Sequence, residues 1–321
     1  MRDLLLHQDL LKAIRARVPQ KANLTNVLVD ILSIDKMAVH RRLRGEVSFT
    51  FSEIILIARK LGISLDEFAQ VDSLRSKPFQ LKMTEHVNPQ EIDYEMMDGY
   101  IDFLDAMKTA PDAEMAGSTN IIPSFFYYKY THLTRFYLFK WVYQYGLSEL
   151  PIYYKDIQIP ERLRKLQQDT ITCYRNFKMT NIIFDHLIFY YLVNDLKYFT
   201  NVHLIEPAEL EIIKEELFCL LEDLERLSIT AHYKENGHRI HFYISNINFD
   251  TNYSYMTRNQ VYLTLISAFV LNSVVSNDKM TFDRVKIWIQ SLKRQSTLIS
   301  ESGEKQRILF FNKQRDVIGS L

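Results

Sequence analysis

Residues 36–44, KMAVHRRLR, combine hydrogen-bond donors with two apolar positions at the spacing of a short helix. Val39 and Leu43 are four residues apart, so they lie on one side of the helix and can face a core. Arginine and lysine donate hydrogen bonds to phosphate oxygens and to the acceptor atoms of guanine in the major groove. The segment therefore has the chemistry to bind nucleic acid. The side chains left outside are Lys36, Met37, His40, Arg41 and Arg44.

Closely spaced capping patterns surround this segment. Asp35 is placed to cap a helix that starts at the next residue. Thr50 and Glu53 have the spacing of a capping box, and Ser64 with Glu67 repeats it. The preceding helices are predicted to end at glycine, which adopts the left-handed conformation without steric cost. These residues are Gly45 and Gly62.

In this order and spacing, the motifs resemble the Cro-type (XRE-like) helix-turn-helix transcriptional regulators. The resemblance covers about the N-terminal 70 residues of the 321. Its first part is carried by Leu32, Ser33, Ile34, Asp35, Val39, Arg41 and Gly45. Its second part is carried by Ile54, Ile57, Ala58, Leu61, Gly62, Ile63, Ser64, Leu65 and Phe68.

The resemblance implies a five-helix domain that binds double-stranded DNA. Lys36, Met37, His40 and Arg41 would then contact bases, with Asp35 capping the helix and Arg44 nearer the phosphates. Three positions depart from the family pattern, in which they are usually a small alanine, a turn glycine and an apolar residue. They are Val29, Ser33 and Arg42, and we expect Leu43 to take over the core role of the third.

Charge is distributed unevenly along the chain. Residues 1–45 hold nine Lys or Arg against four Asp, a net charge of +5. The whole chain sums to zero, so the remaining residues carry −5. A basic N-terminal unit joined to a mildly acidic remainder of the chain is consistent with a nucleic-acid-binding surface at the N-terminus.

The length and the 47% content of apolar residues favour two domains. We expect a helix-turn-helix domain over 1–75, a linker over 76–88 and a mainly helical dimerisation or sensor domain over 89–321. Helices are predicted over 89–109, 123–145, 160–178, 181–200, 206–228, 258–276, 281–295 and 303–318. A small β-hairpin or meander is predicted from 228–233, 238–245 and 248–256, around Asn236-Gly237. The predicted fold class is thus mainly α.

The larger domain has few residues that point to a particular chemistry. The aromatic stretch 125–146 could line an effector pocket, or it could bury aromatic faces between helices or across a dimer. We find no Gly-rich phosphate loop and no nucleophile or metalloprotease motif, so we predict no catalytic site. His238 and His241 would lie on opposite faces of a strand, and we predict no metal site and no cofactor.

Two cysteines, Cys173 and Cys219, lie in apolar helical patterns and indicate a reducing compartment. No apolar run is long enough to span a bilayer, so we expect a cytoplasmic protein without a membrane partner. The leading hypothesis is a non-enzymatic, sequence-specific transcriptional regulator that binds DNA as a homodimer, with a small-molecule or peptide effector as a further partner. The alternative is a protein-interaction adaptor whose large domain binds a peptide or protein.

Overall fold

The computed structural model describes residues 2–18, 23–61, 63, 65, 80–146 and 152–321. Its N-terminal part contains helices α1 (Arg2–Arg17), α2 (Leu24–Leu32), α3 (Lys36–Leu43) and α4 (Phe51–Leu61). These helices share one apolar core, in which Ile14, Leu28, Val39 and Ile57 are fully buried. The predicted fifth helix and its capping box at 64–67 lie largely outside the described residues.

Capping confirms where two of these helices start. The Asp35 carboxylate accepts a hydrogen bond from the Ala38 N–H at 2.9 Å. The Glu53 carboxylate accepts from the Thr50 N–H at 2.9 Å, and the Thr50 hydroxyl accepts from the Glu53 N–H at 3.3 Å. Gly45 has a φ of 75°, as predicted for a residue that closes a helix.

The turn between α2 and α3 contains Ser33 in the left-handed conformation, with φ 52° and ψ 40°. Its N–H donates to the Val29 carbonyl at 2.8 Å, which completes the end of α2. Serine therefore adopts a conformation that favours glycine. The cost is backbone strain that a glycine would avoid.

The rest of the chain corrects the predicted fold class, because it is an α/β structure and not a mainly helical one. The strands are β1 (Gln80–Lys82), β2 (Glu114–Thr119), β3 (Met179–Asp185), β4 (Arg239–Ser245), β5 (Tyr253–Arg258), β6 (Val261–Ala268), β7 (Asn272–Ser276) and β8 (Thr297–Leu298). They form one eight-stranded mixed sheet in the order β1-β7-β6-β5-β2-β3-β4-β8. Strands β2, β3 and β4 are parallel, and the other pairings are antiparallel.

Two helices predicted from the sequence are wrong in this sheet, and a predicted hairpin is only partly correct. The predicted helix over 181–200 is strand β3 followed by a helix, because parallel strands buried on both faces have continuous apolar runs that resemble helices. The predicted helix over 258–276 is the antiparallel pair β6 and β7. The predicted hairpin is only partly correct. A turn around Asn236-Gly237 joins His232 and Arg239 in one antiparallel bridge, but Ser228 to Thr230 ends a helix and β4 pairs with β3 and β8.

Helices cover both faces of the sheet. They are α5 (Glu91–Asp105), α6 (Ser124–Tyr127), α7 (Thr131–Tyr145), α8 (Glu161–Tyr174), α9 (Ile188–Asn201), α10 (Pro207–Thr230), α11 (Lys279–Gln295) and α12 (Glu304–Gly319). Met115 of β2 belongs to the large core on one face. Its neighbour Ala116 points the other way and packs with Phe282 and Ile289 of α11.

Strand β1 lies within the segment 76–88 that the sequence predicted as a linker, and it pairs with β7. The sheet therefore begins before residue 89. Throughout the described ranges, every helix is too short or too polar to cross a lipid bilayer.

Candidate nucleic-acid interface

The six predicted DNA-binding residues are all solvent-exposed in the structure: Asp35, Lys36, Met37, His40, Arg41 and Arg44. Residues three or four apart are neighbours on a helix surface. Positions 36, 40 and 44 therefore form one row and positions 37 and 41 an adjacent row. The structure brings the predicted set together on the outer side of α3, while Val39 is fully buried beneath it.

The orientation of α3 is fixed from two sides. Helix α2 packs against it through the shared core that contains Leu28, Leu32 and Val39. From helix α1, the His7 ring contributes a hydrogen bond between its Nε2 atom and the Arg42 carbonyl at 3.0 Å, and it stacks on Phe49. Such contacts hold a short helix that would be unstable by itself.

Arg42 has a structural role that the sequence did not indicate. Its Nε and its Nη2 donate to the two carboxylate oxygens of Glu53 at 3.0 and 2.8 Å, and both side chains are about 15% exposed. Its Nη1 donates to the Ala38 carbonyl at 3.2 Å. Arg42 thus bridges α3 to the capping box of α4.

Glu53 remains ionised in this arrangement. Burial by itself raises the pKa of Glu53, but hydrogen bonds from Arg42 and from the Thr50 N–H outweigh it, so the pKa is below its usual value. The carboxylate of this bidentate pair therefore remains charged near neutral pH. Leu43 packs against the same core, as expected for a residue that replaces the missing apolar contact.

Glu46 is a second residue that sequence analysis missed. Its carboxylate pairs with Arg44 at 2.8 Å and approaches Arg41 at 3.9 Å, and all three side chains are about half exposed. Exposed ion pairs are weak, so a phosphate can displace the carboxylate. Glu46 lies just after the closing Gly45, and its position two residues from Arg44 was the only sequence signal.

The aromatic stretch 125–146 serves mainly as core, as one of the two interpretations predicted. Phe136 and Phe139 of α7 pack against Phe199 of α9, with ring centroids 6.0 and 4.8 Å apart. The beginning of the stretch differs, because Phe125, Tyr127 and Tyr128 line a cavity. The stretch therefore supplies both packing and a pocket wall.

The histidines near residue 236 contact different residues. His238 approaches the Lys178 ammonium at 3.0 Å and the Arg175 carbonyl at 2.8 Å. His241 lies 3.7 Å from the Glu301 carboxylate. Within the described ranges, no group of three or more His, Cys, Asp or Glu side chains is arranged to hold a metal ion.

No family model matches this chain, and no curated protein or solved structure matches it. Support for an interface on α3 therefore comes from the geometry of the four N-terminal helices.

Proposed function

We propose that the chain is a sequence-specific DNA-binding transcriptional regulator and that α3 enters the major groove of duplex DNA. The observation that carries this proposal is the exposed double row of Lys36, His40 and Arg44 beside Met37 and Arg41, on a helix whose opposite side is buried. A short helix fixed in this way is the usual means of contacting bases.

The side chains divide by the contacts that each would make. Arg41 has the planar fork that recognises guanine in a bidentate manner, and Lys36 at the start of the helix can reach a base or a phosphate. Met37 is 66% exposed and offers an apolar contact to a thymine methyl group. Arg44, at the end of α3, would bind backbone phosphate, as Lys or Arg groups at such positions commonly do.

We further propose that the chain binds DNA as a homodimer, because one short helix contacts few base pairs and two half-sites double the contacts. The larger domain has an exposed apolar pair on α11, where Ile287 is 68% and Trp288 is 56% exposed. Association commonly buries such pairs. A bacterial-type regulator of this kind would act in the cytoplasm.

The first test is selection of the full-length protein on random duplex DNA, followed by sequencing, at two salt concentrations. We expect a palindromic motif that the Arg41→Ala variant loses. Arg59→Ala is the matched control, because it removes an exposed arginine of the same domain that lies on α4 and outside the proposed interface.

The proposal is contradicted if no DNA motif is enriched and if the wild-type protein and the Arg41→Ala variant bind DNA equally weakly. The chain would then be a protein-interaction adaptor. The dimer is tested separately by sedimentation of the full chain, in which Trp288→Lys should lower the dimer fraction. A wild-type protein that stays monomeric with and without selected DNA refutes the dimer.

A further inference from the structure

A cavity of about 300 Å³ lies on the sheet face that carries Met115, under helices α5, α6 and α8. Its volume is at the lower end of the range for small-molecule sites. The floor includes Gly117 of β2 and Ser254 of β5, which are paired in the sheet. Their large neighbours Ile182 and Leu265 flank them. The cavity therefore exists because two paired positions in the middle of the sheet are small.

A residue larger than glycine is not easily accommodated at position 117 of β2. A Cβ atom at Gly117 would lie 3.1 Å from the Tyr253 carbonyl oxygen and 3.2 Å from the Ser254 Cβ. This spacing is tighter than ordinary van der Waals contact. A glycine at this position keeps the sheet and the cavity compatible.

Among the described residues, the lining contains no Asp, Glu, Lys or Arg side chain. Burial raises the pKa of Tyr100 and of Tyr174, so both hydroxyls remain protonated. They form a hydrogen bond with each other at 2.6 Å. Burial also lowers the pKa of His86 to about 4, although Asp93 opposes this effect, so its ring is neutral at pH 7. The whole wall is thus uncharged under ordinary conditions.

Three residues of the lining have a polar side-chain atom that is buried without a hydrogen-bond partner among the described residues. These atoms are Nδ2 of Asn272, Nε2 of His86 and Oγ of Ser118. Asn272 is 5% exposed, and its carbonyl oxygen accepts from the Thr84 N–H at 2.8 Å, which leaves its amide N–H groups for another acceptor. Unsatisfied buried donors are costly, so a site with such a group favours a ligand that pairs with it.

The turn between β6 and β7 forms another part of the wall. Val270 lines the cavity and has a φ of 65°, a conformation that is unusual for a β-branched residue. Strained backbone of this kind often occurs next to ligand sites. The strained turn and the unpaired Asn272 amide therefore belong to the same cavity wall.

We propose that this cavity binds an uncharged, mainly apolar small molecule that presents a carbonyl or similar acceptor to the Asn272 amide. The uncharged wall gives a buried carboxylate or ammonium no group of opposite charge, and transfer of a charge from water without such a partner is strongly unfavourable. The apolar part of the ligand would lie between the tyrosine wall and the sheet. This proposal concerns binding alone and does not depend on the DNA-binding function.

The test uses three probes that share a ring and differ in charge: phenylacetamide, phenylacetate and phenethylamine, together with the corresponding naphthalene compounds. Binding to the full chain is measured by saturation-transfer NMR and by titration calorimetry. We expect the carboxamides to bind, and the charged forms to bind weaker by roughly tenfold or more.

Two variants locate the site. Thr170→Phe places a ring in the cavity from α8, whereas Thr172→Phe makes the same change two residues on, at an exposed position outside the lining. The first should abolish carboxamide binding and the second should preserve it. Asn272→Asp keeps the acceptor for the Thr84 N–H but replaces the amide donor, so it should also weaken carboxamide binding. It serves as the cavity variant if Thr170→Phe does not fold.

Three results would overturn the proposal: equal or tighter binding of the charged probes, carboxamide binding that survives both cavity variants, or no binding of any probe at millimolar concentration by folded wild-type protein.

Discussion

Replacing Glu46 by glutamine should strengthen DNA binding, because the Glu46 carboxylate competes with phosphate for two arginines of the proposed interface. The pair with Arg44 has a nitrogen–oxygen distance of 2.8 Å, and the pair with Arg41 one of 3.9 Å. Their side chains are about half exposed, so the two contacts together are worth about 0.5–1 kcal/mol after screening by solvent. DNA must displace them in every subunit.

The expected gain is therefore roughly twofold to fivefold in affinity per subunit, and about fivefold to thirtyfold for a dimer that uses two interfaces. Fluorescence anisotropy with a labelled duplex measures it at several salt concentrations. The gain should shrink as salt screens the charges. Arg44→Ala should instead reduce the slope of log affinity against log salt by about 0.9 per lost phosphate contact.

Asp9→Asn is the matched control for net charge. Asp9 also forms an exposed ion pair, with Lys12 at 3.1 Å, but it lies on α1 and outside the proposed interface. An equal rise in affinity for Asp9→Asn would mean that only the total charge of the domain matters. Unchanged or weaker binding by Glu46→Gln would refute the competition itself.

Three further predictions concern stability, measured by native-state hydrogen exchange in the full chain. Ser33→Gly should stabilise α2 and α3 by roughly 0.5 kcal/mol, since relief of the left-handed strain exceeds the added flexibility of the unfolded chain; a destabilising effect would show that Ser33 is unstrained. Glu53→Ala should destabilise the N-terminal helices by about 3 kcal/mol because it leaves the Arg42 guanidinium, which is largely buried, without its carboxylate partner. Arg42→Leu combined with Glu53→Gln should cost less than about 1 kcal/mol. A similar loss of stability in Glu53→Ala and in the double variant would exclude the broken ion pair as the cause. The folded-state pKa of His86 is about 4, below its ordinary 6.5, so protonation favours unfolding. The free energy of unfolding of the sheet should have its full value above pH 6.5 and be about 2 kcal/mol lower at pH 5. His86→Gln should remove that loss, and a variant with the same pH profile as the wild type would contradict this prediction.

The sequence determined the local structure of the N-terminal unit. The Asp35 cap, the box of Thr50 with Glu53 and the closing Gly45 each act over five residues or fewer, so their spacing alone predicts the helices. The apolar period then places the six predicted side chains on the outside of α3. The ion pair of Arg42 with Glu53 joins two helices, and it was not visible in the pattern of either.

The long-range arrangement of the larger domain came only from the tertiary structure. Strand β3 is buried on both faces and has no alternation of polar and apolar residues, so its sequence resembles the helix that follows it. The pairing of β1 with β7 connects residues nearly 200 positions apart, and nothing local specifies it. The cavity likewise combines Thr84, Gly117, Thr170 and Asn272 from distant segments. Its size and neutrality depend on which side chains the sheet and helices bring together, and local propensity does not encode that.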